Sequence, residues 1–341
     1  MIAILGGGVA GTFLARALAG LGRRDVDVFD PALPGQGSTG RALGGFRTQH
    51  GNRLNAELAL ASRDYFARRA DRVGFRASGY LYLATSEAAA ATLAERARCQ
   101  REWGLPIEHP PLSAHVPYAR ADDVLATNFC ALDGVYLPPR VLECALEEAR
   151  AMGARFHYGC VAPPGDLERA DAVVICAGAR SGDVGRSLGI ELAVRPEARG
   201  VFQVGPFPWV TGNGPMLLEV ESGFHFRERD GRLLLMAPYP PDDWASHRWA
   251  LVHRVPGAAG IERPEAHWSG DYEVTFDHHP LVGPTRRDRV WAMCGFSGHG
   301  VMQSPAVAAS LAAMLVGATP PVDISPLDPG RREPLVDITQ L

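Results

Sequence analysis

The first thirty residues contain two kinds of apolar pattern, short continuous runs and a segment with helical spacing. IAIL (2–5) is a short apolar run, and VDVFD (26–30) is a second one that ends on an acid. Between them, TFLARALAGLG (12–22) places apolar residues at helical spacing and stops at Gly22. Short apolar runs predict buried strands and the helical spacing predicts a helix, so we expect a strand, helix, strand unit here.

A glycine-rich turn, GGGVAG (6–11), joins the first strand to this helix and places Gly6, Gly8 and Gly11 in the GxGxxG register. In this motif the glycines allow a tight turn, close approach of a pyrophosphate, and close packing of the helix. Asp30 ends the second strand, where a carboxylate accepts hydrogen bonds from ribose hydroxyls and repels a 2′-phosphate. The unit predicts dinucleotide binding and disfavours NADP, but it leaves NAD and FAD open. The alternative is a turn that only packs a helix.

Further strand-like segments follow, and 341 residues are enough for two domains. GFHFRERDGRLLLMAPY (223–239) predicts a hairpin around Asp230-Gly231. RVWAMC (289–294) predicts a strand that leads through GFSGHG (295–300) into an apolar helix. Glycines before a helix let the backbone approach a ligand, and the free N–H groups of the first turn face it. We therefore expect a bound group at that helix end.

Composition and charge exclude several functions. The net charge is −4 without a basic run, so nothing indicates a nucleic-acid or anionic-membrane partner. All 34 basic residues are arginine, which excludes a catalytic lysine. The six cysteines lack CxxC spacing, and we predict no metal site. No apolar run approaches the roughly 20 residues that span a bilayer, and MIAILGGG lacks signal-peptide features. We expect a soluble, cytoplasmic protein with reduced thiols.

The segment PALPGQGSTGRALGGFRTQHG (31–51) suits a loop beneath a flavin better than the crossover of an NAD dehydrogenase. Together with GFSGHG, it resembles the D-amino-acid oxidase and sarcosine oxidase superfamily of FAD-dependent amine oxidoreductases. Four more segments match the family in the family's order: GYLYLATS (79–86), DGVYLPPRVLECALEEARAMGARF (133–156), ADAVVICAGARSGDV (170–184) and HWSGDYEVTFDHHPLVGP (267–284). The resemblance therefore covers nearly the whole chain.

The resemblance implies an α/β fold with two domains. One is a Rossmann-like FAD-binding domain with a parallel sheet, and the other is a substrate-binding domain on a mixed, largely antiparallel sheet. The expected ranges are 1–78, 134–190 and 274–341 for the first domain, and 79–133 and 191–273 for the second. Between Cys160 and Ala170 the segment PPGDLER stands where the family has a longer β-meander, so the FAD-binding domain is trimmed.

The resemblance also implies FAD as cofactor, with the helix after GFSGHG directed at the pyrimidine edge of the flavin. Some relatives attach flavin through a cysteine that lies two residues before a tyrosine, in the strand that precedes the helix after GFSGHG. Others attach it through a histidine in the loop after the second strand. Those positions hold Gly270 and Arg41 here, so we expect non-covalent FAD. The implied cofactor-binding residues are Gly6, Gly8, Val9, Ala10, Gly11, Asp30, Pro31, Ser38, Thr39, Arg41, Gly44, Gly45, Val161, Ala177, Gly178, Gly298, His299, Gly300, Val301 and Met302.

Substrate recognition is expected to depend on arginine, since its planar fork matches a carboxylate. The resemblance places Arg47 at a carboxylate-binding position, and Met302 where sarcosine oxidase-like members carry a second contact, a lysine. His225, Arg227 and Tyr272 are further pocket candidates, with Arg47, His225 and Tyr272 as the catalytic set; each could instead be a structural residue. His299 is expected to order the glycine turn. Asp277-His278-His279 is expected to close a turn, because adjacent strand residues face opposite ways.

The implied reaction removes hydride from the carbon beside an amine nitrogen and delivers it to flavin N5, giving an imine that hydrolyses. The electron acceptor is unknown, and the missing lysine favours a dehydrogenase over an oxidase. Two alternatives stay open: the flavin subunit of a heteromeric proline- or sarcosine-type dehydrogenase, which would have a partner subunit, and a degenerate flavoprotein scaffold. PPDDWASHRW (240–249) is a candidate lid over the site.

Overall fold

The computed structural model describes residues 1–338. Within them the chain forms sixteen strands, numbered β1 to β16 in chain order: Ile2–Leu5, Val26–Asp30, Gly45–Phe46, Tyr80–Ala84, Ile107–Glu108, Ala126–Cys130, Gly134–Val135, Arg155–Tyr158, Ala172–Ile175, Arg195–Val204, Met216–Glu219, His225–Arg229, Arg232–Met236, Ala266–Val274, Leu281–Pro284 and Val290–Cys294. The same residues form ten α-helices, α1 to α10: Val9–Gly20, Ser38–Arg41, Arg53–Ala67, Ala70–Val73, Glu87–Glu102, Pro138–Ala151, Pro164–Arg169, Ser181–Ser187, Trp244–Arg254 and Gly300–Leu315. None of these helices is long and apolar enough to cross a lipid bilayer.

A six-stranded sheet in the order β15-β16-β9-β1-β2-β8 forms the first layer. Its strands pair in parallel from β16 to β8, and only β15 joins antiparallel. The predicted strand, helix, strand unit is confirmed, because β1 and β2 pair in parallel on either side of α1. The ADAVVICAGARSGDV segment supplies β9, which pairs with the other edge of β1.

Apolar side chains cover both faces of this sheet. On one face α1, α3, α6 and α10 pack together over a core that includes Ile4, Phe13 and Leu311. On the other face a smaller core includes Ala3, Phe29 and Ile175. Alternate residues of a strand point to opposite faces, which is why Ala3 and Ile4 belong to different cores. Burial on both faces explains the continuous apolar runs of β1 and β9.

The second layer is an eight-stranded sheet in the order β14-β10-β13-β12-β11-β4-β6-β5. All of its pairs are antiparallel except β11 with β4. The predicted hairpin is confirmed, since β12 and β13 pair on either side of Asp230, whose φ of 51° suits a tight turn. The mixed, largely antiparallel sheet is therefore as predicted.

Each face of the eight-stranded sheet has a separate partner. One face, which includes Phe226 and Leu235, packs on Ala250 and Leu251 of α9. The opposite face, which includes Tyr82, Met236 and Tyr272, packs on Leu43 and on Ala89 and Leu93 of α5. The hypothesis that 240–249 forms a lid is wrong. Residues 244–249 belong to α9, which covers the face of the eight-stranded sheet that points away from Tyr272.

The two sheets draw on different parts of the chain. The six-stranded sheet takes strands from three separate segments, and the eight-stranded sheet takes strands from the two segments between them. We accordingly propose the division into a domain of residues 1–78, 134–190 and 274–341 and a domain of residues 79–133 and 191–273. In the trimmed region between Cys160 and Ala170, the structure has the short helix α7.

Candidate active site

A cavity of about 910 Å³ begins at the carboxyl ends of β1, β2 and β9 and extends to β14 and the start of α10. Ligands of open parallel sheets bind outside the carboxyl ends of the strands, so the cavity lies where this topology predicts a cofactor. Its walls include Gly6, Asp30 and Ala177 at those strand ends, and Met236 and Tyr272 from the eight-stranded sheet.

The glycine turn is held by contacts that only glycine allows. Gly6 has a φ of 117°, and a Cβ there would lie 2.2 Å from the carbonyl oxygen of Cys176. A Cβ on Gly11 would lie 1.9 Å from the carbonyl oxygen of Gly6, so this glycine lets α1 pack against the turn. Gly8 is the N-cap residue of α1 and supplies no side-chain hydrogen bond, which leaves the first-turn N–H groups other than that of Val9 available to a phosphate.

Polar groups around this turn hold it in one conformation. Asp30 Oδ2 accepts a hydrogen bond of 2.8 Å from the Gly7 N–H, and Oδ1 accepts one of 2.8 Å from the Ala32 N–H. Thr39 Oγ1 accepts a hydrogen bond of 3.2 Å from the Val9 N–H, and the Tyr158 hydroxyl donates to the Gly7 carbonyl at 3.2 Å. The turn is thus shaped before any ligand enters.

The start of α10 forms the far wall of the cavity. No side chain caps this helix, and Gly298, with a φ of 90°, leaves room for the Tyr272 ring, which a Cβ would approach to 2.6 Å. Glu273 also lines the cavity, and its Oε2 accepts a hydrogen bond of 2.8 Å from the Gly295 N–H. Burial raises the pKa of Glu273 to about 7. A ligand here lies at the positive end of α10. It also lies beside Glu273, whose raised pKa favours the neutral carboxylic acid.

Fifteen of the twenty cofactor-binding residues predicted from the sequence line the cavity: Gly6, Gly8, Val9, Ala10, Asp30, Pro31, Ser38, Thr39, Arg41, Val161, Ala177, Gly178, Gly298, Gly300 and Val301. The other five are not among the lining residues: Gly11, Gly44, Gly45, His299 and Met302. Met302 packs in the core beneath α10. The uncapped N–H groups at the two helix ends, the Asp30 carboxylate and the volume of the cavity fit a dinucleotide with a flavin.

One face of the eight-stranded sheet carries a row of side chains that ends at the cavity wall. Tyr82 is the cross-strand partner of Leu218, which is also the partner of His225, and His225 is the partner of Met236. Cross-strand partners share a face of the sheet. The Tyr272 hydroxyl contacts Met236 Sδ at 3.4 Å, which links this row to the cavity wall.

Next to this row lies a group of five residues that we name the arginine cluster: Arg47, His50, Tyr82, Arg96 and His299. Arg47 Nη1 donates to the Tyr82 hydroxyl at 2.5 Å, and Arg47 Nη2 lies 2.6 Å from His299 Nε2. The rings of His50 and His299 meet edge to face with centres 5.0 Å apart. Burial, reinforced by the Arg47 charge, holds the pKa values of His50 and His299 well below the usual range.

These contacts fix the state of His299. A guanidinium can only donate, so His299 Nε2 must accept and the ring proton must sit on Nδ1. Nδ1 is buried and makes no hydrogen bond within residues 1–338. His299 is therefore a neutral imidazole that orients Arg47, a more specific role than the predicted ordering of the glycine turn.

Two buried side chains, those of Asp133 and Arg227, hold the chain on either side of Arg47. Asp133 Oδ1 accepts from the Thr48 N–H and the Thr48 hydroxyl, both at 2.6 Å, and Oδ2 accepts from Gln49 Nε2 at 3.0 Å. Arg227 Nη1 donates to the carbonyls of Leu43, Gly44 and Tyr136 at 2.7–3.0 Å. Arg227 was predicted as a substrate contact, but its Nη1 is directed at backbone carbonyls. It anchors the Leu43–Gly44 turn.

Sequence reasoning missed Tyr82, Arg96, Asp133 and Glu273. Tyr82 and Asp133 fall within or beside segments that carried the family resemblance, yet nothing in their local pattern separates them from ordinary sheet and turn residues. Arg96 lies on a helix with six charged residues among sixteen, where an arginine predicts solvent exposure. Only the structure shows that these side chains converge.

Comparisons with known proteins identify the family of the chain. The family model described as FAD dependent oxidoreductase matches residues 1–314. Dimethylglycine dehydrogenase of Mus musculus is 26% identical over 96% of this chain, which spans only 44% of that protein. Glycine oxidase of Pseudomonas putida is 30% identical over 54% of this chain and 51% of its own.

A solved structure shows the same fold. The L-proline dehydrogenase of P. horikoshii superposes with a TM-score of 0.89 at 20% identity and covers 96% of each chain. The predicted α/β fold, with its parallel sheet and its largely antiparallel second sheet, is confirmed by this likeness. Together with the family match over most of the sequence, it establishes that the chain belongs to the FAD-dependent oxidoreductase family to which the sequence was expected to belong.

Proposed function

We propose that this protein oxidises the C–N bond of an amino acid, giving an imine that hydrolyses in water. The observation that carries the proposal is Arg47, a guanidinium that makes no ion pair within residues 1–338 and is aligned by Tyr82 and His299. Its remaining N–H groups suit a substrate carboxylate. Glycine oxidase and L-proline dehydrogenase, which this chain resembles, are named for amino acids.

Four residues of the chain have defined roles in the proposed reaction. Arg47 binds the carboxylate and so fixes the reacting carbon, while Tyr272 and Met236 form an apolar wall that excludes water. Bound FAD supplies the hydride acceptor. His225 donates its Nδ1 proton to the Gly223 carbonyl at 2.8 Å, and burial lowers its pKa to about 4, so Nε2 keeps a lone pair for the amine N–H.

Three further properties belong to the proposal. FAD is held without a covalent bond, because Gly270 and Arg41 occupy the positions at which relatives attach it. The protein works as a dehydrogenase, since no lysine is present to promote the reaction of reduced flavin with oxygen. The six cysteines are free and five are buried, which suits a reducing compartment such as the cytoplasm.

Anaerobic spectroscopy tests the proposal. The purified yellow protein is mixed with D-, L- and N-methyl amino acids, and flavin absorbance is followed. We expect bleaching by one of these classes, release of the flavin into solution on acid denaturation, and slow reoxidation by air compared with an artificial dye. Flavin that none of the amino acids reduces would contradict the proposed reaction, and flavin that stays with the denatured protein would contradict non-covalent binding.

A further inference from the structure

Arg96, in the middle of α5, is a buried arginine to which the proposed reaction gives no role. Its residue is 5% exposed, and its Nε and Nη1 atoms are shielded from solvent without any hydrogen bond within residues 1–338. In the same range no carboxylate lies within 4.0 Å of its guanidinium. By contrast, the buried Arg254 pairs with the carboxylates of Asp123 and Glu219.

An unpaired buried cation is costly to keep, since desolvation is not offset by a partner charge. Burial lowers the pKa of Arg96, and the neighbouring Arg47 charge lowers it further. Asp337 is the described carboxylate whose charge acts on Arg96, but it faces His279 Nε2 at 3.5 Å, and its buried Oδ1 makes no hydrogen bond. Within residues 1–338, no carboxylate thus pairs directly with Arg47 or Arg96, although the charge of Asp133 acts on Arg47 and that of Asp337 acts on Arg96 from a longer distance.

Arg96 and Arg47 are organised around one aromatic ring. The guanidinium carbon of Arg96 lies 5.8 Å from the centre of the Tyr82 ring, and Arg47 donates to the hydroxyl of the same ring. Further unused polar atoms surround them. Gln100, one turn after Arg96 on α5, donates to the His50 carbonyl, but its Oε1 is buried without a partner, as is His50 Nε2.

We propose that Arg96 binds a second carboxylate, so that the substrates are dicarboxylic amino acids. This inference rests on the proposed function, in which Arg47 holds the carboxylate beside the reacting carbon. The second carboxylate gives Arg96 the direct ion-pair partner that it lacks, and the arginine fork donates two hydrogen bonds to it. A monocarboxylic substrate leaves Arg96 without a partner, so the same site discriminates against it.

The test compares two substitutions on one helix. Arg96→Gln removes the charge from the cluster, and Arg98→Gln removes a charge from the exposed side of α5, where Arg98 pairs with Glu95 and Glu102. Anaerobic flavin reduction is measured for the holoenzyme with glutamate, aspartate and iminodiacetate, and with alanine, glycine and sarcosine. We expect kcat/KM for the dicarboxylates to fall about 100-fold in Arg96→Gln and to be unchanged in Arg98→Gln.

The monocarboxylic substrates give the decisive contrast. Their kcat/KM is expected to change less than about threefold in Arg96→Gln, since they make no contact with Arg96. Equal losses for both classes, or a wild-type preference for monocarboxylic amino acids, would overturn the assignment while leaving amino-acid oxidation intact.

Binding without turnover separates this inference from the proposed reaction. Glutarate, which has two carboxylates and no amine, is expected to raise the thermal midpoint of the wild type and of Arg98→Gln, but not of Arg96→Gln; acetate is the control. Arg96→Met is a second variant that should fold, because it replaces an unpaired buried cation by an apolar chain of similar length. Absence of any glutarate effect in the wild type would overturn the second-carboxylate site. A glutarate effect together with flavin that no amine reduces would uphold the site and sink the proposed reaction.

Discussion

The cofactor cavity and the arginine cluster adjoin each other but are built in different ways. The cavity is shaped mainly by backbone: glycines with positive φ, helix ends whose N-cap residues supply no side-chain hydrogen bond, and strand termini. The cluster is shaped by side chains from β4, α5, the segment after β3, and the start of α10. The difference teaches that a phosphate-bearing cofactor can be bound by local chain geometry, whereas a small anion needs charges brought together from distant positions.

The largest effect is expected where the backbone leaves no room. Gly6→Ala combines a φ of 117° with a Cβ 2.2 Å from a carbonyl oxygen, so we expect a loss of about 5 kcal/mol in the free energy of unfolding and no bound FAD. Gly35→Ala is the matched control, since Gly35 has a φ of 78° and no neighbour within 4 Å. It should cost about 1 kcal/mol in urea unfolding. If both variants lost the same stability, the positive φ of Gly6 would explain the loss, and the close contact with the Cys176 carbonyl would add nothing.

Arg47→Met should leave the backbone-built cavity intact while disabling the cluster. We expect normal flavin content and a fall of about 1000-fold in kcat/KM, because a substrate carboxylate loses its charged partner. Flavin absorbance of the purified variant and anaerobic reduction rates measure the two halves of this prediction. If the variant loses FAD in parallel with activity, the cavity and the cluster do not act as separate regions.

Asp133→Ala probes the support behind Arg47. Removing the carboxylate leaves three buried donors on Thr48 and Gln49 without an acceptor, so we expect a loss of about 3 kcal/mol in the free energy of unfolding. Asp288→Ala is the control, because that side chain is 98% exposed. Urea denaturation compares the two, and a loss below 1 kcal/mol in Asp133→Ala would show that neighbouring groups replace the missing acceptor.

A smaller, pH-dependent effect is expected from Glu273. Its pKa is raised to about 7 from the ordinary 4.5, so the folded apoprotein keeps a proton that the unfolded chain has released. The stabilisation from this proton is present below pH 4.5 and is lost as pH rises to about 7. Glu273→Gln removes this component. In urea unfolding of the apoproteins, the wild type should therefore lose stability relative to the variant between pH 5 and pH 8; a constant difference would contradict the raised pKa.

Much of the fold and of the cofactor cavity could be predicted because the signals are local. Gly6, Gly8 and Asp30 each act through their own backbone or strand end, and short-range spacing makes these roles recognisable. The hairpin at Asp230-Gly231 was predictable for the same reason. The lid hypothesis for 240–249 was wrong because a polar, tryptophan-containing segment has the same composition whether it covers a site or the outer face of a sheet.

The arginine cluster could be predicted only where a family position marked it, as at Arg47. Arg96 precedes Arg98 on the same helix with similar neighbours, yet one side chain is buried beside Tyr82 and the other is exposed. The helical face that packs on β4 and β6 is selected by the tertiary fold. Arg227 shows the converse case, since a buried arginine near a candidate site can donate to backbone carbonyls.

Arg227 also has a mechanical consequence. Its side chain starts from β12 in the eight-stranded sheet, and its Nη1 donates to the carbonyls of Leu43 and Gly44, which follow a segment, 31–42, that contributes to the cavity wall. A single guanidinium thereby joins the eight-stranded sheet to the loop that lines the cavity. Release of the cofactor and melting of that sheet should then coincide on heating, so that flavin fluorescence and far-ultraviolet circular dichroism report one cooperative transition.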